Sequence, residues 1–191
     1  MRMKELVEKW YIVNDGSRSL LESIVVPEVE KATKDWVKSA KPDFVLIGGI
    51  ALAYHHIPRM TMDVDTLYLT REQIPDRVDG FKRTRPGAFQ HNQTHVEVEV
   101  LAGQAINMPQ EIVQKVFDTA ISVNGVKIAS KSGLVALKLL AQRTGAKGRQ
   151  DQADIINLLA SGGVNIDEYA PYMSAEVATL YKELEQEVRE P

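Results

Sequence analysis

The sequence predicts an α+β fold, a small mixed β-sheet flanked by helices, with an N-terminal helix and C-terminal helices. Three observations predict it. The continuous apolar run Phe44-Val45-Leu46-Ile47 is bounded by Gly48-Gly49, the pattern of a buried strand. Two more strand patterns follow: 62–69, which carries Asp63 and Asp65, and 95–101, where His95, Glu97 and Glu99 alternate strictly with apolar residues. Apolar residues recur at helical spacing on both flanks, including Leu20, Ile24, Val29 and Trp36 before the strands and Leu134, Leu137 and Leu140 after them. At 191 residues the chain is long enough for one domain with a real core. The expected organisation is an N-terminal helical extension over 1–40, an αβ core over 41–129 and a C-terminal helical region over 130–191 packed on that core.

Each element has a local cause. A packing helix is expected over 19–40, with Pro27 a point of kinking or breaking because proline lacks the amide donor a helix interior needs. Lys41-Pro42-Asp43 ends it, the strand 44–47 follows, and Ile50 to His56 suits a short helix. After the Asp-bearing strand, Thr70 is placed to cap a helix beginning Arg71-Glu72-Gln73. Residues 81–93 are polar and basic, with a turn at Pro86-Gly87. A helix over 109–119 leads to two short strands within 120–129 joined by Asn124-Gly125, a strong hairpin signal. Ser130 caps the next helix, which runs to Arg143. The basic stretch Thr144–Arg149 reads as a loop, 151–160 as a helix stopped by Gly162-Gly163, and 175–188 as a last helix with a polar face.

Composition narrows the function classes. The net charge of −3, from 23 Lys and Arg against 26 Asp and Glu, argues against a broad nucleic-acid coat but leaves room for a local basic groove. The absence of cysteine removes disulfides, thiolate zinc sites and cysteine nucleophiles together. Charges interrupt the N-terminus every few residues, and no segment is apolar enough to span a bilayer, so a cytoplasmic protein without a membrane partner is expected.

The chemistry is expected at the acids. Side chains alternate along a strand, so Asp63 and Asp65 share a face about 7 Å apart. Two such carboxylates repel, and a hard divalent cation with oxygen ligands offsets that repulsion at neutral pH. Magnesium typically keeps one or two carboxylates and fills its shell with water and phosphate, so a phosphate-bearing ligand is implied. Gly48-Gly49, between an apolar strand and a short helix, leaves backbone amides open to an anion. A two-metal phosphoryl-transfer site needs a further carboxylate, and either Glu97 or Glu99 can supply it. His55, His56, His91 and His95 invite a metal-hydrolase alternative, though without the spacing of a helical metal motif.

The stretch Phe44–Asp65, with Gly48, Gly49, His55, Arg59, Thr61, Asp63 and Asp65 in place, resembles the signature of the DNA polymerase beta-like nucleotidyltransferase superfamily. Within it, the likeness is closest to the small AbiEii-type, toxin-like nucleotidyltransferases. The resemblance implies a nucleotidyltransferase fold and a magnesium-dependent enzyme, with manganese a substitute ion, that takes ATP or another nucleoside triphosphate as substrate. It implies Asp63, Asp65 and Glu99 as metal-binding and catalytic residues, selecting Glu99 over Glu97. Gly48, Gly49, Arg59, Thr61 and Lys138 are implied on the nucleotide, with Asp151 and Asp154 bracing the site. The acceptor stays open among an RNA 3′ end, a protein hydroxyl and a small molecule, and a toxin-type role would bring an antitoxin partner.

Two residues depart from the family pattern. The third acid is usually Asp and here is Glu, and His56 stands where glycine is frequent. Both departures motivate an alternative, a nucleotide- or partner-binding module that keeps the fold and has lost transfer.

Overall fold

The computed structural model describes residues 25–40, 44–57, 59–103 and 108–190. A seven-stranded mixed sheet forms its centre. In chain order the elements are α1 (Pro27–Ser39), β1 (Phe44–Ile47), α2 (Gly48–Tyr54), β2 (Asp63–Tyr68), a 3₁₀ turn (Arg71–Gln73), β3 (Phe81–Arg85), β4 (Ala88–His91) and β5 (Glu97–Ala102). There follow α3 (Gln110–Asp118), β6 (Ile121–Val123), β7 (Val126–Ile128), α4 (Lys131–Ala141), α5 (Gly145–Ala160), a second 3₁₀ turn (Ala170–Tyr172) and α6 (Ala175–Arg189). Across the sheet the strands run β3-β4-β5-β2-β1-β7-β6. The expected α+β architecture is the observed one.

The two parallel pairings, β2 with β5 and β1 with β7, sit at the centre, and the antiparallel hairpins β3-β4 and β6-β7 close the edges. The hairpin at Asn124-Gly125 forms as expected, both turn residues having positive φ. On one face of the sheet, Trp36 from α1 packs edge-on to Phe81 at 5.0 Å and tilted against Phe89 at 5.2 Å. Val29, Ala32, Thr33 and Trp36, one stripe of α1, are buried there. Such aromatic pairs add about 0.5–1.5 kcal/mol beyond area burial, which fixes α1 to the β3-β4 hairpin.

Several boundaries differ from expectation for identifiable reasons. The first helix starts at Pro27 and is not kinked by it, since proline suits the first helical position, where no amide partner is needed. Val25 instead makes a parallel bridge to Thr61 and Val26 is the extended N-cap, so these two residues leave the expected helix; residues 1–24 lie outside the described ones. The polar stretch 81–93 holds the hairpin β3-β4, whose Arg-rich strand lies at the sheet edge, where exposed charge is tolerated. Thr70 caps only a single 3₁₀ turn, with a reciprocal capping box to Gln73. The basic stretch 144–149 is no loop: from Gly145 it is the first turns of α5, Gln142 and Gly145 taking the left-handed conformations that turn the chain. Ser130 caps α4 as expected, accepting from the Gly133 amide.

His56 follows the end of α2 with φ +61, the left-handed position that ends many helices and favours glycine. Its departure from the family pattern is therefore a backbone matter. Replacing it, His56→Gly, should relieve about 1 kcal/mol of left-handed strain. A melting temperature raised by roughly 2–4 °C is the expected result, and an unchanged or lowered one would count against the strain.

Candidate active site

The parallel register of β2 and β5 decides which carboxylates meet. Asp63 pairs with Glu97 and Asp65 with Glu99, so all four acids share one face in two rows. On the opposite face of β5, Val98, Val100 and Ala102 are buried in the core, which holds the register because a one-residue slip would bury the glutamates. Thr66, fully buried, donates to the Glu99 backbone carbonyl at 3.0 Å and locks the two strands beside the acid rows.

The glycine pair is explained by contact. Gly48 has φ +59, and a Cβ there would lie 1.8 Å from Asp65 Oδ2; a Cβ on Gly49 would lie 2.4 Å from Thr61 Oγ1. The two glycines are thus the seats of Asp65 and Thr61. Thr61 is buried, and its hydroxyl lies 3.1 Å from both the backbone carbonyl and the Oδ1 of Asp63. Its geometry is that of a residue orienting Asp63.

Across a cleft from the acids stand α4 and α5. Lys138, Arg143, Lys147 and Asp151 line it opposite Asp63, Asp65 and Glu99, with Gly48 and Arg59 at its side. Lys138 Nζ lies 2.7 Å from Asp151 Oδ1 and 2.7 Å from Asp154 Oδ2. Arg59 Nη1 reaches the same Asp154 oxygen at 2.8 Å, and Arg143 approaches Asp151 at 3.7 Å. Through Asp151 and Asp154 this network ties the loop before β2 to both C-terminal helices. Arg59 and Lys138, expected on phosphate, are brought to the cleft with ion-pair partners already in place.

The acid face is short of positive charge. Burial first, then the neighbouring Asp63 and Glu99 charges, push the Asp65 carboxyl up to about 6, against which Arg59 and Arg143 work only partly. The all-oxygen donor set of Asp63, Asp65 and Glu99 suits magnesium or manganese in type. Among the described residues, no three or more carboxylates or imidazoles are gathered as a ready-made ion cage. Glu99 is turned instead toward Arg85, whose Nη2 lies 2.6 Å from Glu97 Oε1 and 3.3 Å from Glu99 Oε1.

The sequence offers Arg85 only as one of several basic residues able to line an acceptor groove or a solvated loop, and its pairing with the two glutamates was not foreseen. The histidines belong elsewhere. His55 is buried with Nε2 2.8 Å from the Ala129 carbonyl, and burial holds its pKa below the ordinary value, so the neutral ring donates to that oxygen and pins α2 to the end of β7. His91 is buried between Thr94 and Asp35. Among the described residues, no histidine lines the cleft beside Asp63, Asp65 and Glu99, so the metal-hydrolase alternative finds no imidazole there.

A family described as nucleotidyl transferase AbiEii toxin, type IV TA system, matches residues 34–91. Over that stretch the chain is similar to the AbiEii nucleotidyltransferases. The matched stretch holds Gly48, Gly49, Arg59, Thr61, Asp63 and Asp65 and stops before Glu99 and Lys138, which meet it through the register of β5 and the packing of α4. The fold is similar to that of an antigenic nucleotidyltransferase-like protein from Paracoccidioides brasiliensis, at 22% identity over 88% of each chain and a TM-score of 0.52. Weaker likenesses are to a candidate nucleotidyltransferase from H. pylori, at 19% identity over 81% of this chain and 74% of that one with a TM-score of 0.45, and to JHP933 from Helicobacter pylori, at 16%, 84%, 94% and 0.41. No curated protein matches the chain. Among the described residues, no helix is long and apolar enough to cross a membrane.

Proposed function

We propose that the chain moves a nucleoside monophosphate from a nucleoside triphosphate such as ATP to a hydroxyl acceptor, using a divalent ion at Asp63, Asp65 and Glu99. The observation that carries this is the in-register pairing of Asp65 with Glu99 beside Asp63, facing Lys138 and Arg143 across one cleft. Magnesium, or manganese in its place, would be held by these three carboxylates and would supply charge neutralisation of the phosphates and acidification of the acceptor hydroxyl. The chain's own residues do the rest. Thr61 orients Asp63, the Gly48-Gly49 backbone leaves room for the α-phosphate beside Asp65, and Arg143 and Lys147 meet the negative charge of the leaving pyrophosphate. The acceptor oxygen forms a bond to the α-phosphorus as the bond to the bridging α–β oxygen breaks, and the hydroxyl proton passes to a carboxylate oxygen of Glu99 or to water. Lys138 acts mainly by holding Asp151 and Asp154 in place.

The AbiEii toxin description of the matched family supports a toxin-type role in the cytoplasm with an antitoxin partner, the acceptor being an RNA 3′ end, a protein hydroxyl or a small molecule. Each α-labelled triphosphate incubated with cell extract and magnesium should pass label into one of these three pools. Asp63→Asn and Glu99→Gln should lower that transfer on the order of 10²-fold or more. Equal labelling by both variants and the wild type would overturn the proposal. The hold of Arg85 on Glu99 favours one second reading, a nucleotide-binding module without transfer. Calorimetric binding of nucleotide with magnesium, unaccompanied by pyrophosphate release, would favour it.

A further inference from the structure

Two glutamates of β5 face the acid pair of β2, and a single ion site has use for one of them. Glu97 and Glu99 lie on the same face about 7 Å apart, one beside Asp63 and the other beside Asp65, so register alone makes both candidate ligands. What breaks the symmetry is Arg85. On β3, Lys82 pairs with Gln90 and Arg83 with Phe89, yet Arg85, not Thr84, pairs with Ala88. Thr84 is thus an inserted residue, a bulge. Regular alternation would put Arg85 on the same face as Arg83, which lies over the Phe89 ring at 5.5 Å on the side of Val98 and Val64. The bulge turns Arg85 over to the face of Ala88, Glu99 and Asp65.

We propose that Arg85 is a positioning residue that sorts the two glutamates, holding Glu97 away from the ion so that Glu99 completes the site with Asp63 and Asp65. Its Nη2 sits 2.6 Å from Glu97 and 3.3 Å from Glu99, so the stronger contact is with the glutamate to be excluded. Both contacts are solvent-exposed, and exposed ion pairs are weak enough for a divalent ion to take Glu99 from Arg85 while Glu97 stays paired. Once the ion has bound, the charge of Arg85 is balanced by Glu97 and repels the ion less than a free guanidinium would.

The inference rests on the proposed use of an ion at Asp63 and Asp65, and the test separates the two. Mn²⁺ alone is titrated into the metal-free full chain, and the free ion is followed by its electron paramagnetic resonance signal. Asp65→Asn should abolish the binding, and binding unaffected by that change would overturn the ion site and the sorting role together. In the wild-type background Glu99→Gln should weaken Mn²⁺ binding by about tenfold or more and Glu97→Gln by less, whereas in an Arg85→Met background the cost of Glu99→Gln should fall to roughly threefold or less, because freed Glu97 takes its place. Arg85→Gln serves as a second neutral variant, each being checked for a wild-type circular dichroism spectrum. An undiminished cost of Glu99→Gln without Arg85, or a larger cost for Glu97→Gln than for Glu99→Gln in the wild type, would overturn the sorting role.

Discussion

Asp65→Asn is expected to abolish nucleotidyl transfer and, at neutral pH without metal, to raise the stability of the protein. Burial and the charges of Asp63 and Glu99 lift the Asp65 carboxyl from its ordinary 3.8 to about 6. A carboxyl whose folded pKa lies above its unfolded one binds its proton more tightly in the folded state. Its stabilising contribution is complete below about 3.8 and is lost as pH rises through about 6, so above that window the ionised Asp65 is a cost. The interval corresponds to roughly 3 kcal/mol at most, and asparagine, of nearly the same shape, escapes it. In chelator at pH 7.5, Asp65→Asn should melt several degrees above the wild type, the difference vanishing near pH 4. Magnesium should raise the wild-type melting temperature and leave that of the variant unchanged. A variant that melts below the wild type in chelator at pH 7.5 would contradict this picture of a site strained by its own charge.

Lys138→Met should produce the largest loss of stability. Its ammonium is the shared partner of two buried carboxylates, Asp151 and Asp154, at 2.7 Å each. Removing one partner of a buried ion pair costs about 3–5 kcal/mol because the remaining charge is left in a poor solvent. Arg59 still reaches Asp154 and Arg143 still approaches Asp151, which limits the cost to roughly 2–4 kcal/mol, a fall in melting temperature on the order of 10 °C. Adding Asp151→Asn should recover part of that loss. Were Lys138 chiefly a phosphate ligand, Lys138→Met would keep its melting temperature and lose only nucleotide affinity, and thermal denaturation distinguishes the two outcomes.

The legible parts of this chain were those where local pattern and tertiary demand agree. The strand 44–47 was recovered residue for residue, and 62–69 and 95–101 to within a few positions, because an apolar run or strict alternation is written in the residues themselves. The hairpin at Asn124-Gly125 was legible because its turn geometry selects those residues. The β3-β4 hairpin was not, since four of the five residues of β3 are exposed and carry no burial pattern. The first turns of α5 were hidden by Gly145 and Gly148, which read as loop residues. At the site, the Asp pair and Gly-Gly were visible because one short stretch holds them. That Asp65 rests on Gly48 and that Glu99 stands beside it depend on contacts between strands distant in sequence. Arg85 was invisible for a further reason: its side of the sheet depends on one unpaired residue, which periodicity counts wrongly.

That unpaired residue makes the charge of the cleft a matter of counting. Were Thr84 drawn into the ladder opposite Ala88, no charged residue would change and the strands would keep their order, yet alternation would carry Arg85 away from the glutamates and give the acid face one positive charge fewer. Chains sharing the whole Gly-Gly and Asp-x-Asp stretch can therefore differ in ion affinity through the pairing register of a surface hairpin, and comparisons among them should record shifts of register near this turn as carefully as substitutions in the site.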